Sequence, residues 1–250
     1  MKLITSRHNP EIKRVVELHD AKARKEQQLF IAEGVRTCAA LIQSGVLPTT
    51  FFVTERILDE AYSLISACDT VYQVPEDVME KISTAATPSG MLAVFPIPSA
   101  PKLDSLERGI VLAQISDPGN MGTMIRTAAA LNIKSVVVIE GADVWSPKTV
   151  QATAGTIGSV DIYQTTWEQL VAHKKDLPLC ALIVSGGKKP QELTNRNCLL
   201  VVGSEAYGLP LEWIAQCDEK VTIPMPGKTE SLNAAIAGSI AMYELFISSN

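Results

Sequence analysis

The sequence holds no CxxC pair and no closely spaced histidines. Its five cysteines, Cys38, Cys68, Cys180, Cys198 and Cys217, are scattered, and so are its three histidines, His8, His19 and His173. Neither a metal site nor a disulfide framework is expected, and the cysteines read as reduced thiols. No apolar run is long enough to cross a bilayer, and the opening MKLITSRHNPEIKR has no apolar stretch of signal-peptide type, so a cytoplasmic protein is expected. Internal repeats and low-complexity tracts are missing too. Aromatic residues are scarce at 5%, but hydrophobic residues reach 46% and charged residues 20%, the balance of an ordinary globular chain. Its 250 residues allow one large or two modest domains.

The net charge of −5 is unusual for a general nucleic-acid binder, which tends to be basic. The distribution is uneven, however. Residues 1–36 carry eight Lys/Arg against five Asp/Glu, whereas residues 37–100 carry only Arg56 and Lys81 against seven acids. A local basic patch steers a polyanion even on an acidic protein, which makes Arg7, Lys13, Arg24 and Lys25 candidate phosphate contacts.

Three prolines in Pro96-Ile97-Pro98-Ser99-Ala100-Pro101 can neither continue a helix nor sit in a central strand, so 97–101 reads as a linker between domains at 1–96 and 102–250. Before it, Asn9-Pro10-Glu11 reads as the start of a helix. Short apolar runs (29–32, 51–53, 71–74, 91–95) then alternate with helical patterns (35–43, 57–67, 76–82), giving a small α/β domain. After it, runs at 110–115, 135–139, 179–184, 199–202 and 220–223 read as strands, and 233–247 as a last helix. Continuous apolar strands such as VVVI and LLVV suit an open parallel sheet covered on both faces.

Ligands gather at the carboxyl ends of such strands, and three unusual loops are expected there. Ser116-Asp117-Pro118-Gly119-Asn120-Met121-Gly122 holds a proline–glycine turn, with Asn120 placed to cap a helix beginning at Met121. Arg126 is the only charged residue between Met121 and Asn132. In the second loop, Gly203 and Gly208 bracket Glu205; they have P-loop spacing, but Leu209 stands where a lysine is required, which excludes that motif. The third, Ile223-Pro224-Met225-Pro226-Gly227-Lys228-Thr229-Glu230-Ser231-Leu232-Asn233, leads into a helix of small residues that Ser231 is expected to open.

Together, LAQISDPGNMGTMIRTAAALNI, LLVVGSEAYGLP and VTIPMPGKTESLNAAIAGSIAMYEL resemble, in order and separation, the three motifs of the SpoU/TrmH branch of the SPOUT RNA methyltransferases. ITSRHNPEIKRVVEL, LFIAEGVRTCAALIQSG and TPSGMLAVF are similar, more loosely, to the substrate-binding domain that precedes the catalytic domain in many of these enzymes. The resemblance implies an α/β protein with an N-terminal L30e-like domain and a C-terminal open parallel-sheet SPOUT domain tied in a deep trefoil knot. It implies a homodimer with active sites near the dimer interface. The implied activity is methyl transfer from S-adenosylmethionine to a ribose 2′-hydroxyl, with ribosomal RNA favoured over transfer RNA as substrate. Carried over by position, Asn120, Arg126, Glu205, Ser231 and Asn233 fall on the catalytic polar positions. Gly203, Ile223 and Leu232 fall on the positions that hold the cofactor. Ala206-Tyr207 departs from the family's more usual small-then-basic pair, and Asn132 stands where glycine is common.

The chemistry asks for oxygen, methyl and sulfur in line, and such alignment supplies roughly 7–11 kcal/mol in ideal systems. Arginine is a demanding general base, because its pKa lies above about 12. Arg126 is therefore read as stabilising the developing alkoxide and gripping a phosphate, with Glu205 orienting the guanidinium and Asn120, Ser231 and Asn233 ordering the ribose and loops. Two rivals are an RNA-binding module of this fold without activity, which the intact polar set opposes, and a nicotinamide-dependent oxidoreductase, which would need a GxGxxG after its first strands.

Overall fold

The computed structural model describes residues 1–66, 68–227 and 230–248, so Ala67, Lys228, Thr229, Ser249 and Asn250 lie outside the described residues. The chain divides into two compact units. One comprises Met1–Ser99 with Asp143–Gly158, the other Ala100–Ala142 with Ser159–Asn250.

In the first unit, β1 (Lys2–Leu3), β2 (Leu29–Glu33), β3 (Thr50–Val53), β4 (Val71–Gln73) and β5 (Met91–Pro96) form a sheet in the order β1-β4-β3-β5-β2. The β1-β4-β3 side is parallel, while β5 runs antiparallel to both β3 and β2. Helix α1 (Pro10–Glu17) begins as the sequence indicates, the Asn9 side chain accepting from the Glu11 amide at 2.8 Å. Ile12 and Val15 then enter a core with Ile31, Phe52, Val78, Ile82 and Leu92. Helix α2 (Ala21–Gln27) has no apolar periodicity; the Asp20 side chain caps it by accepting from the Lys22 and Ala23 amides. Helices α3 (Val35–Gln43), α4 (Leu58–Ile65) and α5 (Glu76–Ile82) complete the alternation, α4 preceded by a 3-10 turn at Glu55–Ile57.

The segment 143–158 packs with this unit although it follows the second unit's strands in sequence. It contributes α7 (Pro147–Thr153), capped by Ser146, and Trp145, whose ring lies 5.0 Å from that of Phe30. Gly155, at φ +85°, sits so close to Thr37 that a Cβ there would lie 2.3 Å from its carbonyl oxygen.

In the second unit, β6 (Gly109–Ala113), β7 (Ser135–Ile139), β8 (Asp161–Gln164), β9 (Leu179–Leu182), β10 (Leu199–Val202) and β11 (Glu219–Val221) form a wholly parallel sheet in the order β11-β9-β10-β6-β7-β8. The chain extends from β6 through β7 to β8 on one side, then restarts on the other at β9, leaving the place between β9 and β6 for β10. Alternate residues of the strands, among them Val111, Val137, Leu179 and Val201, face Trp167 of α8 (Trp167–His173) and Trp213 of α9 (Leu211–Gln216), two indoles stacked at 4.7 Å. The other face carries α6 (Pro118–Ala130) and α10 (Ala234–Phe246). These two helices approach closely because Gly238 leaves no room: a Cβ there would lie 2.9 Å from the Met124 sulfur. Helix α6 ends with Asn132 at φ 54°, where the Ile133 amide reaches back to the Ala128 carbonyl at 2.9 Å. Asparagine tolerates this left-handed closure without being glycine.

Candidate functional site

All three loops singled out in the sequence leave the carboxyl ends of strands in the second unit: β6, its neighbour β10, and β11. The first is built differently from expectation. Helix α6 starts at Pro118, and the cap is Asp117, whose Oδ1 accepts from the Asn120 amide at 2.7 Å. Asn120 is thus a first-turn residue whose side chain is free for other work. The third loop differs in the same way. Asn233, not Ser231, opens α10, its Oδ1 accepting from the Ala235 and Ile236 amides at 2.9 and 3.2 Å.

The freed Asn120 side chain joins the other two loops. Asn120 Nδ2 donates to Glu205 Oε1 at 2.8 Å, and Asn233 Nδ2 donates to Asn120 Oδ1 at 3.1 Å. Ser116 Oγ donates to Glu205 Oε2 at 3.4 Å, a contact that nothing in the motif spacing announces. One carboxylate therefore organises all three loops by accepting from donors on the first, while Asn120 passes the connection on to the third.

Beside this chain of bonds lies a cavity of about 340 Å³, lined by Gly203, Glu205, Ile223, Ser231 and Leu232 among others. Its volume falls in the range of small-molecule sites, about 300–1,000 Å³. Gly203 must be glycine, because a Cβ there would lie 2.4 Å from the Gly208 carbonyl carbon. The loop is closed on itself by Ser204 N to Gly208 O at 3.1 Å and Gly208 N to Ser204 O at 2.9 Å. Further lining residues, Leu182–Val184 at the end of β9 and just beyond it together with Ala206, Tyr207 and Met225, were not among the sequence candidates. The strand-end rule offered a signal for the first of these.

Arg126 does not line the cavity. It is exposed on α6, and among the described residues it has no hydrogen-bond or ion-pair partner. The expected orientation of its guanidinium by Glu205 is not present: six residues turn a helix by about 240°, so Arg126 leaves a different face from Asn120. No carboxylate among the described residues pairs with Arg126 either.

In the first unit, Arg7, Lys13 and Lys25 are exposed, and their side chains have no bonded partner among the described residues. Arg24 is a correction. It is only 4% exposed; Nε and Nη2 donate to Asp143 Oδ2 at 3.0 and 2.5 Å, and Nη1 donates to the Leu18 carbonyl at 2.7 Å. A guanidinium so bonded and buried holds residue 143 in place and is not presented to a phosphate at the surface.

Of the thiols, burial pushes Cys38 up to about 12 and Cys217 up to about 11, and a hydrogen bond with Cys198 together with burial raises Cys180. All three are chemically quiet. No group of His, Cys, Asp and Glu among the described residues is arranged to hold a metal, and no described helix is long and apolar enough to cross a membrane.

Comparison with known proteins bears directly on this site. The MRM3-like substrate binding domain profile matches residues 9–93. A 23S rRNA (guanosine(2553)-2'-O)-methyltransferase of Bacillus subtilis (strain 168) is 28% identical over 98% of this chain and 99% of its own length. A 23S rRNA (guanosine-2'-O-)-methyltransferase of Acinetobacter baylyi is 30% identical over 70% of this chain and 77% of its own. The crystal structure of an AdoMet-bound rRNA methyltransferase from Sinorhizobium meliloti superposes with a TM-score of 0.86 at 26% identity, covering 98% of this chain and 97% of that one. The profile of the SpoU rRNA methylase family matches residues 107–243, which contain all three loops, and the chain belongs to that family.

Proposed function

We propose that this protein transfers a methyl group from S-adenosylmethionine to a ribose 2′-hydroxyl of ribosomal RNA. The observation that carries the reading is the hydrogen-bonded sequence Ser116–Glu205–Asn120–Asn233 at the edge of a cavity walled by the Gly203 and Ile223 loops. The related rRNA methyltransferases support the substrate.

The cavity suits the cofactor. Val202, Ile223 and Leu232 give apolar surface for an adenine, and Gly203 brings bare backbone close to it. S-adenosylmethionine supplies an electrophilic methyl group on a cationic sulfur. Glu205 holds Asn120, and Asn120 holds Asn233, so the amides facing the ribose are set before RNA arrives and need no reorganisation during transfer. Ser231, on the cavity wall, orders the acceptor nucleotide. Arg126, unpaired among the described residues, stabilises the oxygen as its proton leaves and grips the neighbouring phosphate in a bidentate contact.

The active protein is a homodimer. Exposed Ile236, Ile240, Tyr243 and Ile247 follow one another at intervals of four, three and four along α10, an apolar stripe for a second copy of this chain. Arg126 lies on the helix that packs against α10, so an interface there sets it beside an active site. Finer features belong to the same reading: a trefoil knot in the second unit, an L30e-like first unit, and work in the cytoplasm. Arg7, Lys13 and Lys25 supply phosphate contacts in the first unit.

Titration calorimetry of the purified protein tests the cofactor step. S-adenosylmethionine should bind and NAD should not; binding of NAD alone would remove the methyltransferase reading.

A further inference from the structure

Tyr207 is 94% exposed, and its hydroxyl has no hydrogen-bond partner among the described residues. A bare aromatic ring on a surface is ordinary in itself, but this one is held where the chemistry happens. It sits at the tip of the 203–208 loop, on the rim of the cavity, two residues from Glu205. The loop is cross-bonded between Ser204 and Gly208, and the Tyr207 amide donates to Ser204 Oγ at 3.2 Å, so the backbone that presents the ring is fixed. Gly208, in the left-handed region at φ 69°, turns the chain away immediately afterwards.

The acceptor's own geometry matters here. The methyl group goes to the oxygen on C2′, and the base hangs from C1′, the adjoining carbon. A ribose held by Asn120 and Asn233 therefore carries its base within a side chain's reach of the cavity rim. Bases in RNA that are read by proteins are commonly splayed from the stack and laid on aromatic faces. Resting on the function proposed above, we infer that Tyr207 is the platform on which the base of the target nucleotide stacks, making it a substrate-positioning residue. A basic side chain at this position, more usual in the family, would seek a phosphate; a tyrosine ring meets the flat face of a base and is tolerant of which base it is.

The test uses total ribosomal RNA from cells lacking the protein as substrate, with 2′-O-methylation followed at the nucleotide that the wild-type enzyme modifies. Stacking is worth about 1–3 kcal/mol per base, so Tyr207→Ala should lower kcat/KM about five- to 150-fold, chiefly through KM for RNA. Tyr207→Phe should restore it to within about twofold, and S-adenosylmethionine affinity should be the same in both. Unchanged kcat/KM in Tyr207→Ala removes the platform while leaving the methyltransferase reading intact. A Phe variant as poor as Ala assigns the effect to the hydroxyl and overturns stacking, and a parallel loss of cofactor affinity places the ring over the cofactor instead. No transfer by the wild-type enzyme would remove both readings together.

Discussion

Asn120 uses both ends of its amide: Nδ2 donates to Glu205 Oε1 at 2.8 Å, and Oδ1 accepts from Asn233 Nδ2 at 3.1 Å. Only an amide can do both, which fixes the residue type more tightly than hydrogen bonding in general would. Asn120→Asp should therefore be worse than a loss of one contact, because it sets two carboxylates in hydrogen-bond range of each other. Turnover should drop by about tenfold or more at neutral pH, with partial recovery in acid as the pair takes up a shared proton. A flat pH–rate profile for Asn120→Asp would show that the two side chains are not coupled in the working enzyme.

Arg126 separates catalysis from stability. It has no partner among the described residues, so Arg126→Ala and Arg126→Lys should unfold at the wild-type temperature and bind S-adenosylmethionine normally. Single-turnover methylation should nevertheless fall about a hundredfold or more in both, since lysine keeps the charge and loses the fork. Near-normal turnover in Arg126→Lys would withdraw the catalytic assignment.

The four basic candidates of the first unit should split three to one. Arg24→Met leaves Asp143 without its cation and the Leu18 carbonyl without its donor, and breaking a buried pair of this kind costs about 3 kcal/mol, readable by urea unfolding. Replacing Arg7, Lys13 or Lys25 with Ala should leave stability unchanged, weaken RNA binding and flatten its salt dependence by roughly one counterion each. An Arg24→Met protein of full stability would contradict the structural role.

Gly203→Ala has no room: its new methyl carbon would lie 2.4 Å from the Gly208 carbonyl carbon. The 203–208 loop must shift, so S-adenosylmethionine affinity should fall at least about tenfold, while the sheet beneath, carried by β10, keeps its circular dichroism spectrum. Undiminished calorimetric binding by Gly203→Ala would take this loop out of the cofactor site.

Much of this was legible because sheet and loops announce themselves differently. Buried parallel strands such as Leu199–Val202 are written as unbroken apolar runs, and the loops after them carry polar side chains that no core needs. What sequence periodicity missed was structure stabilised without it. Strand β8 is short and lies at the sheet edge, and only Ile162 and Tyr163 of its four residues are buried. Helix α2, AKARKEQ, is made by propensity and the Asp20 cap. The two capping errors share one cause. Asp117 and Asn120, like Ser231 and Asn233, are both good caps a few residues apart, and local sequence does not say which is used. Tertiary bonds separate the two cases: Asn120 is held by Glu205, so Asp117 caps α6, whereas Asn233 caps α10 with Oδ1 and still donates Nδ2 to Asn120. The burial of Arg24 depends on Asp143, 119 residues away, and no local pattern encodes that partner.

The central claim, methyl transfer to a ribose 2′-oxygen, is tested most directly by incubating the protein with labelled S-adenosylmethionine and ribosomal RNA from cells lacking it, then digesting the product to nucleosides. The account predicts label in a single 2′-O-methylnucleoside, formed about a hundredfold or more slowly when Arg126→Ala replaces the wild-type protein. Label on a base, or no transfer to RNA from a protein that binds the cofactor, would contradict it.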